Sequence, residues 1–198
     1  QLKEAGAAPD FIQTGNEISY GMLWGERDKE PYKKYYAGKT NNRARFSSLL
    51  KQAGKACREV CPEARIVLHT ERVANPAYAS TFYREMTEDG VDFDIMGLSY
   101  YPYWHGNLSK LATALTMLET SQPDKQLMLV EVGYYHQWQP SDVTNDFSKT
   151  WPISDDGQNA FARDLLAELQ KHDRVTGLFW WAMEANECGL DWATKRVT

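Results

Sequence analysis

The chain has 198 residues, of which 42% are hydrophobic and 25% are charged, a composition typical of a globular domain with one core. Its formal net charge of −5, with no basic stripe, excludes nucleic acid as the expected partner, and no apolar run is long enough to cross a membrane. We therefore expect an uncharged or small ligand.

The first predicted elements surround a carboxyl group. Residues 1–10 have the pattern of a helix tail that ends at Gly6, and a short buried strand begins at Phe11. This strand runs into Gly15, which allows close backbone approach, and then into Asn16 and Glu17 at the opening of a loop. Glu17 alone could be a cap or a loop ion pair. A second strand-end carboxyl, Glu131, favours a functional pair.

The rest of the chain alternates between helices and strands. Apolar stripes at helical spacing predict helices at residues 42–60, 76–90, 108–122 and 155–172, the second capped by Asn75 and the third started by Asn107 or Ser109. Apolar runs predict further strands at residues 65–70, 93–101, 126–132 and 176–181. Five strands separated by four helices indicate a parallel α/β sheet.

The strand count favours one type of parallel fold. The chain contains neither a Gly-rich dinucleotide motif nor a P-loop, and a closed eight-stranded barrel needs roughly 250 residues. We therefore predict a partial (β/α)8 TIM barrel that covers roughly strands 4 to 8, with residues 1–198 as the C-terminal part of a single catalytic domain. Ligands of such folds bind at the carboxyl ends of the strands, where the candidate groups lie.

The carboxyl pair suits glycoside hydrolysis. One carboxyl protonates the leaving oxygen, and the other attacks the sugar or activates water. Desolvation beside the aromatic loop is expected to keep Glu17 protonated, while tyrosine hydroxyls are expected to keep Glu131 ionised. All seven tryptophans fall at predicted strand ends or in the loops that follow, where they could stack on sugar rings or fill the core beneath the loops.

Several motifs together resemble those of one enzyme family. Residues 15–17, 21–24, 94–102 and 130–134 read Gly-Asn-Glu, Gly-Met-Leu-Trp, Asp-Ile-Met-Gly-Leu-Ser-Tyr-Tyr-Pro and Val-Glu-Val-Gly-Tyr. They resemble the glycoside hydrolase family 53 endo-β-1,4-galactanases, and the resemblance spans nearly the whole chain. It implies a retaining, endo-acting hydrolase of galactan or type I arabinogalactan, with Glu17 as acid/base on the fourth strand and Glu131 as nucleophile on the seventh.

The resemblance also implies roles for the neighbouring residues. Asn16 is expected to hold the 2-hydroxyl of the sugar, and either Tyr100 or Tyr101 is expected to contact the nucleophile. His69 could line the sugar site or be a hydrogen-bonded structural residue. The remaining candidate substrate contacts are Trp24, Trp104, His105, Tyr134, Trp138, Trp180 and Trp181.

No metal or other cofactor is predicted. Some bacterial relatives hold calcium through closely spaced Asp, His and Asn, whereas residues 137–151 contain only scattered Asp142, Asn145 and Asp146. Cys57, Cys61 and Cys188 lack the spacing of a disulfide framework or a zinc set. We therefore expect neither a calcium site nor a thiol-based metal site.

The resemblance also sets expectations for partners and compartment. The expected partner is galactan or its oligosaccharides, bound by a protein that is monomeric when complete. A polymeric substrate implies an extracellular, cell-surface or periplasmic location. The alternatives are a neighbouring clan member acting on β-glucan or mannan, and a non-catalytic sugar-binding fragment.

Overall fold

The structure is a computed structural model that describes residues 2–23, 34–39, 42–137 and 139–181, together with the backbone of residues 190–191 and 196–197. Its main element is a sheet of five parallel strands whose order in space follows their order in the chain. The strands are β1 (Phe11–Gln13), β2 (Arg65–Thr70), β3 (Ile95–Tyr100), β4 (Gln126–Val132) and β5 (Val175–Trp180). This arrangement confirms the predicted parallel sheet.

Helices connect successive strands. They are α1 (Arg43–Val60), α2 (Pro76–Glu88), α3 (Pro102–His105), α4 (Leu108–Ser121) and α5 (Asp155–Leu169). Short 3₁₀ turns occupy Ile18–Tyr20 and Arg72–Ala74, and β6 (Leu190–Asp191) pairs with β7 (Arg196–Val197) in a separate antiparallel ribbon. Among the helices that the structure describes, we find none that combines the length and the apolar character needed to cross a bilayer.

Side-chain caps fix where three helices begin. The side chain of Asn75 accepts a hydrogen bond from the Tyr78 amide, with Pro76 in the first turn of α2. Asn107 accepts from the Lys110 amide, so Asn107 rather than Ser109 starts α4. Ser154 caps α5 in the same way, and this helix ends at Leu169, three residues before its predicted end.

The first residues match their prediction in part, and one short helix was not predicted. Residues 2–6 form hydrogen-bonded turns rather than a complete helical turn. The Gly6 amide nevertheless donates to the Lys3 carbonyl and the Ala7 amide to the Leu2 carbonyl, which is the hydrogen-bond pattern of a helix C terminus. The helix α3, a single turn directly after β3, was not predicted because Tyr-Tyr-Pro resembles a strand end.

The sheet has two different faces. The face that carries Ile66, Leu68 and Leu98 packs against the helices in a large core of apolar and aromatic side chains. The opposite face carries a smaller cluster of Val67, Ile95 and Met128. On this face, Gly97 lies between the side chains of Val67 and Val130. A Cβ atom at Gly97 would lie 2.7 Å from Cγ1 of Val67, so this close packing requires glycine. We call this second face the inner face.

A β-bulge in β4 directs Glu131 to the inner face. Leu98 of β3 pairs with Leu129, but the next residue, Ser99, pairs with Glu131, so Val130 is an extra residue in β4. In a regular strand Glu131 would share the face of Leu129, which packs against the helices. The bulge instead brings Glu131 beside Ser99 at the carboxyl end of the sheet.

Candidate active site

The structure brings the two predicted catalytic carboxyls together. Glu17 follows β1 and is partly exposed, whereas Glu131 is buried near the end of β4. One carboxylate oxygen of each, together with a ring nitrogen of His69, all lie within 4.8 Å of one another. Side chains from the ends of β1, β2 and β4 therefore meet at the carboxyl edge of the sheet, where ligands bind in parallel α/β folds.

The backbone at Glu17 is held in an unusual conformation. Its φ of 46° and ψ of 53° lie in the left-handed region, which non-glycine residues occupy rarely and at a cost of about 1–3 kcal/mol. Gly15, two residues earlier, has φ of 125°, and a Cβ atom there would lie 2.6 Å from Cγ2 of Ile18. The sequence Gly-Asn-Glu thus forms a tight turn that directs the Glu17 side chain over the end of the sheet.

A ring of hydrogen bonds leaves Glu17 and returns to it. The Glu17 amide donates to Nδ1 of His69 at 3.3 Å. Nε2 of His69 lies 2.7 Å from Oγ of Ser99, and the Ser99 hydroxyl donates to Oε1 of Glu17 at 2.7 Å. His69 and Ser99 are fully buried. Because such buried polar chains tolerate little rearrangement, the Glu17 carboxyl is fixed in one orientation.

Glu131 has a different environment. Burial raises the pKa of Glu131, the negative charge of Glu17 raises it further, and a hydrogen bond from Tyr101 lowers it. The hydroxyl of Tyr101 donates to Oε2 of Glu131 at 3.1 Å. The expected tyrosine hydroxyl is present and favours the ionised form of Glu131, but the net effect raises the pKa of Glu131, because burial and a neighbouring carboxylate outweigh one hydrogen bond.

Removing the Tyr101 hydroxyl is expected to change the pH profile. Tyr101→Phe eliminates the interaction that lowers the pKa of Glu131, so this pKa rises. A higher pH is then needed to ionise the Glu131 carboxyl. The acidic limb of kcat/KM should move to higher pH by about 0.5–1 unit. A pH series of the hydrolytic activity of the full-length protein, with Tyr100→Phe as the matched control, measures this shift. An unchanged acidic limb in Tyr101→Phe would contradict the assignment.

Three predicted substrate contacts are contradicted by burial. Tyr100 is fully buried and donates its hydroxyl to the Gly106 carbonyl, because its position in β3 faces the helices. Tyr134 is fully buried and donates to the carbonyl of Trp151. His69 is also fully buried and hydrogen-bonded through both ring nitrogens, which favours the structural alternative for this residue. Of the two tyrosines expected to contact Glu131, Tyr101 does so.

Other predicted contacts lie where a ligand could reach them or support residues that do. Asn16 is exposed, Trp104 is half-buried with its ring 5.7 Å from that of Tyr101, and Trp181 is 52% exposed just past β5. Trp180 packs against Phe161. Contacts of Asn16, Trp104, Trp180 and Trp181 with substrate stay predictions. The other two predicted contacts, Trp24 and Trp138, lie outside the residues that the structure describes.

His105 supports the loop rather than the reaction centre. Its Nδ1 accepts the amide of Tyr101 at 2.9 Å, and its side chain is almost entirely buried. Burial, with a smaller contribution from the positive charge of Arg72, lowers the pKa of His105 to about 4, so the ring is neutral near pH 7. His105 thus holds the backbone of the residue whose hydroxyl contacts Glu131.

The carboxyl cluster does not have the features of a metal site. Glu17, His69 and Glu131 are close enough to share a cation, and carboxylate and imidazole are common ligands. However, Nδ1 of His69 already accepts hydrogen bonds from Glu17 and from Gln13 at 3.2 Å, and Nε2 is bonded to Ser99. A metal ligand needs a free ring nitrogen, so this set favours hydrogen bonding.

Sequence reasoning missed Ser99 and Gln13. Ser99 lies on the inner face together with Gly97 and Ile95, two and four residues earlier in β3. Because every second residue of a strand shares a face, this spacing could have placed Ser99 on the same side as Tyr101, at the site. Gln13 pairs with Val67 at the edge of the same face and also reaches Oδ1 of Asn16 at 3.4 Å. Neither residue type is by itself a signal for chemistry.

Comparison with known proteins places this site in a family. The model for Glycosyl hydrolase family 53 matches residues 1–196. The chain is 34% identical over 197 residues to an uncharacterized protein in the bgaB 5′ region of Niallia circulans, covering 91% of this chain and 50% of that protein. It is 27% identical over 195 residues to an arabinogalactan endo-beta-1,4-galactanase of Thermothelomyces thermophilus, covering 91% and 54% of the two chains.

A solved structure has the same architecture. The Ignisphaera aggregans GH53 catalytic domain superposes with a TM-score of 0.77 at 28% identity, covering 94% of this chain and 53% of that chain. Together with the five parallel strands, this similarity confirms the predicted partial (β/α)8 barrel. The chain spans about half the length of the relatives it matches.

Proposed function

Because this chain belongs to glycosyl hydrolase family 53, we propose that the protein containing it hydrolyses β-1,4-galactosidic linkages inside galactan or type I arabinogalactan. The observation that carries the proposal is the meeting of Glu17 and Glu131 at the carboxyl edge of the sheet. Related proteins from Thermothelomyces thermophilus and Bacillus subtilis bear the name of an endo-beta-1,4-galactanase. A neutral polymer also fits the net charge of −5, which disfavours polyanions.

The spacing of the carboxyls supports a retaining mechanism. Retaining glycosidases separate their two carboxyl groups by about 5–5.5 Å, and inverting enzymes by about 6.5–9.5 Å to admit a water molecule. Here one carboxylate oxygen of Glu17 and one of Glu131 lie within 4.8 Å of each other. This short separation is nearer to the spacing of retaining enzymes, so direct attack by Glu131 is favoured.

The proposed reaction has two steps. In the first, Glu17 gives its proton to the glycosidic oxygen while a carboxylate oxygen of Glu131 attacks the anomeric carbon, so the linkage breaks and a galactosyl ester forms. In the second, ionised Glu17 takes a proton from water, whose oxygen attacks the same carbon and releases Glu131. Tyr101 would hold Glu131 in position through both steps, since its hydroxyl contacts the oxygen Oε2.

We also propose where the protein acts and how this chain contributes. Galactan is too large to enter a cell intact, so we place the activity outside the cytoplasm, in the breakdown of pectic side chains. We propose that residues 1–198 are the C-terminal part of one catalytic domain, consistent with their coverage of about half of each relative. The missing half of the barrel would supply the remaining walls of the cleft.

A substrate panel tests the proposal. The full-length protein should release oligosaccharides from galactan and arabinogalactan, with much slower turnover of mannan and β-glucan, and its first products should keep the β configuration by proton NMR. Preferred turnover of mannan or β-glucan would support the alternative clan activity, and binding without turnover would support a sugar-binding module. α-Configured first products would contradict the retaining mechanism.

A further inference from the structure

The hydrogen bonds around Glu17 have a fixed direction. A backbone amide can only donate, so the bond from the Glu17 amide requires Nδ1 of His69 to be an acceptor without a proton. Gln13 approaches the same nitrogen with its side-chain amide at 3.2 Å, which reinforces this assignment. Burial lowers the pKa of His69 to about 4, so near pH 7 the ring is neutral and its proton lies on Nε2.

The protonated nitrogen then sets the orientation of Ser99. Nε2 of His69 donates to Oγ of Ser99 across 2.7 Å, which leaves the Ser99 hydroxyl proton to be donated elsewhere. The acceptor in reach is Oε1 of Glu17, at 2.7 Å. Because His69 and Ser99 are fully buried, water does not compete for these bonds.

We infer that Ser99 is a positioning residue that keeps Oε1 of Glu17 as a hydrogen-bond acceptor and so leaves Oε2 to carry the proton in both steps. This inference rests on the proposed function, in which Glu17 alternates between acid and base. When Glu17 is protonated on Oε2, Oε1 is the carbonyl oxygen and can accept the hydrogen bond from Ser99. When Glu17 is ionised, Oε1 is a carboxylate oxygen and can accept the same bond. The position of Ser99 therefore suits both protonation states.

The ring also explains the left-handed backbone at Glu17. That conformation is costly for a glutamate, yet it directs the Glu17 amide to the acceptor nitrogen of His69. His69 in turn directs Ser99 back to the Glu17 carboxyl. Backbone strain and carboxyl orientation are thus coupled through two side chains of the adjacent strands β2 and β3.

Other charged and titratable groups surround this ring. Glu131 of β4 faces Glu17 across the pocket, and Tyr101 contacts Glu131. Next to β1, Glu71 and Arg72 both contact the hydroxyl of Ser19. Among the described side chains, the hydroxyl of Ser99 donates a hydrogen bond to the Glu17 carboxylate. Because this hydroxyl is neutral, replacing Ser99 by alanine changes no charge near Glu17.

The pH profile of Ser99 variants tests the inference. A hydrogen bond to a carboxylate favours the ionised form, so Ser99→Ala should move the basic limb of kcat/KM to higher pH by about 0.5–1 unit. We expect kcat on galactan to fall by about tenfold with little change in KM. Ser99→Cys nearly preserves the volume and donates weakly, so its shift should be smaller and of the same sign.

A matched control and a second measurement separate the possible outcomes. Ser47 is a buried serine on α1 whose hydroxyl donates to the Ala44 carbonyl, and Ser47→Ala should leave the basic limb unmoved. If the basic limb of kcat/KM does not move in Ser99→Ala, the inference is overturned. If Ser99→Ala does not fold, the basic limb of Ser99→Cys is measured instead, and an unmoved limb in that variant overturns the inference.

A spectroscopic measurement of the Glu17 carboxyl removes the dependence on turnover. In the Glu131→Gln background, the ¹³C carboxyl signal of Glu17, identified by its loss in Glu17→Gln, should change its chemical shift at fixed pH when Ser99 is replaced by alanine, because the hydrogen bond to Oε1 is lost. An equal chemical shift with and without Ser99 would overturn the inference. If the unmodified full-length protein does not hydrolyse galactan, the proposed function fails, and this measurement still tests the role of Ser99.

Discussion

Replacing Glu131 by glutamine in the full-length protein should lower kcat on galactan by about 10⁴–10⁶-fold, since removing a covalent nucleophile eliminates the two-step route. Glutamine has nearly the same shape and can still accept a hydrogen bond from Tyr101, which contacts Glu131 at 3.1 Å. Affinity for galactooligosaccharides should therefore change little. Initial rates on galactan and calorimetric binding of an oligosaccharide measure the two effects.

An exposed carboxyl provides the control for this substitution. Glu63 lies in the turn between α1 and β2 on the surface, so Glu63→Gln should have the kinetics of the unmodified protein. Near-normal hydrolysis by Glu131→Gln would remove Glu131 from the mechanism. Loss of activity together with loss of oligosaccharide binding would point to a disrupted pocket instead.

Replacing Glu17 by glutamine should lower kcat on galactan by about 10²–10⁴-fold, the usual contribution of a general acid or base. Glutamine cannot donate the carboxyl proton to the leaving oxygen. However, its side-chain oxygen can still accept the hydrogen bond that Ser99 gives to Oε1 of Glu17. Glu17→Gln therefore preserves the shape of the side chain and its bond to Ser99, and it removes only the ability to transfer a proton.

Substrates with different leaving groups distinguish this role from general damage. A galactooligosaccharide with a nitrophenol leaving group needs no proton for its departure, so Glu17→Gln should form the glycosyl-enzyme from it at nearly the normal rate and then accumulate the intermediate. A rapid burst of nitrophenol followed by slow steady turnover is the expected observation. Equal slowing with natural and activated substrates would contradict an acid/base role for Glu17.

Local sequence signals predicted most of the architecture. The helices α1, α2, α4 and α5 each carry an apolar stripe, and the caps at Asn75 and Asn107 fixed two of the starts. The strands are short apolar runs between these helices, so five parallel strands followed from their order. Such signals lie within a few neighbouring residues, which is why a single sequence reveals them.

Features that depend on strand register were not predictable in the same way. The bulge at Val130 turns Glu131 to the inner face, and nothing in the order of residues 126–132 marks that extra residue. The left-handed conformation of Glu17 likewise depends on its contact with His69, 52 positions away. Neither the distance between the carboxyls nor the role of Ser99 could be obtained without the paired strands.

The aromatic residues near the strand ends differ in role, as the two alternatives of the sequence analysis allow. Trp151 lies in the loop between β4 and α5, is 4% exposed, donates Nε1 to Asp164 and packs against Phe161, so it fills the core. Tyr100 and Tyr134 are also core residues. Aromatic rings beside a strand end can face either the ligand or the helix layer, and strand parity, which the bulge disturbs, decides between them.

Identification of the residue that bonds to the sugar tests the central claim most directly. A 2-deoxy-2-fluoro-galactoside with a good leaving group slows the second step, so treatment of the full-length protein should leave one fluorogalactosyl group attached. Peptide mass spectrometry should place that group on Glu131, within the segment Gln126–Val132. Attachment to another residue, or rapid hydrolysis of galactan by a protein that never acquires the label, would contradict the proposed partnership of Glu17 and Glu131.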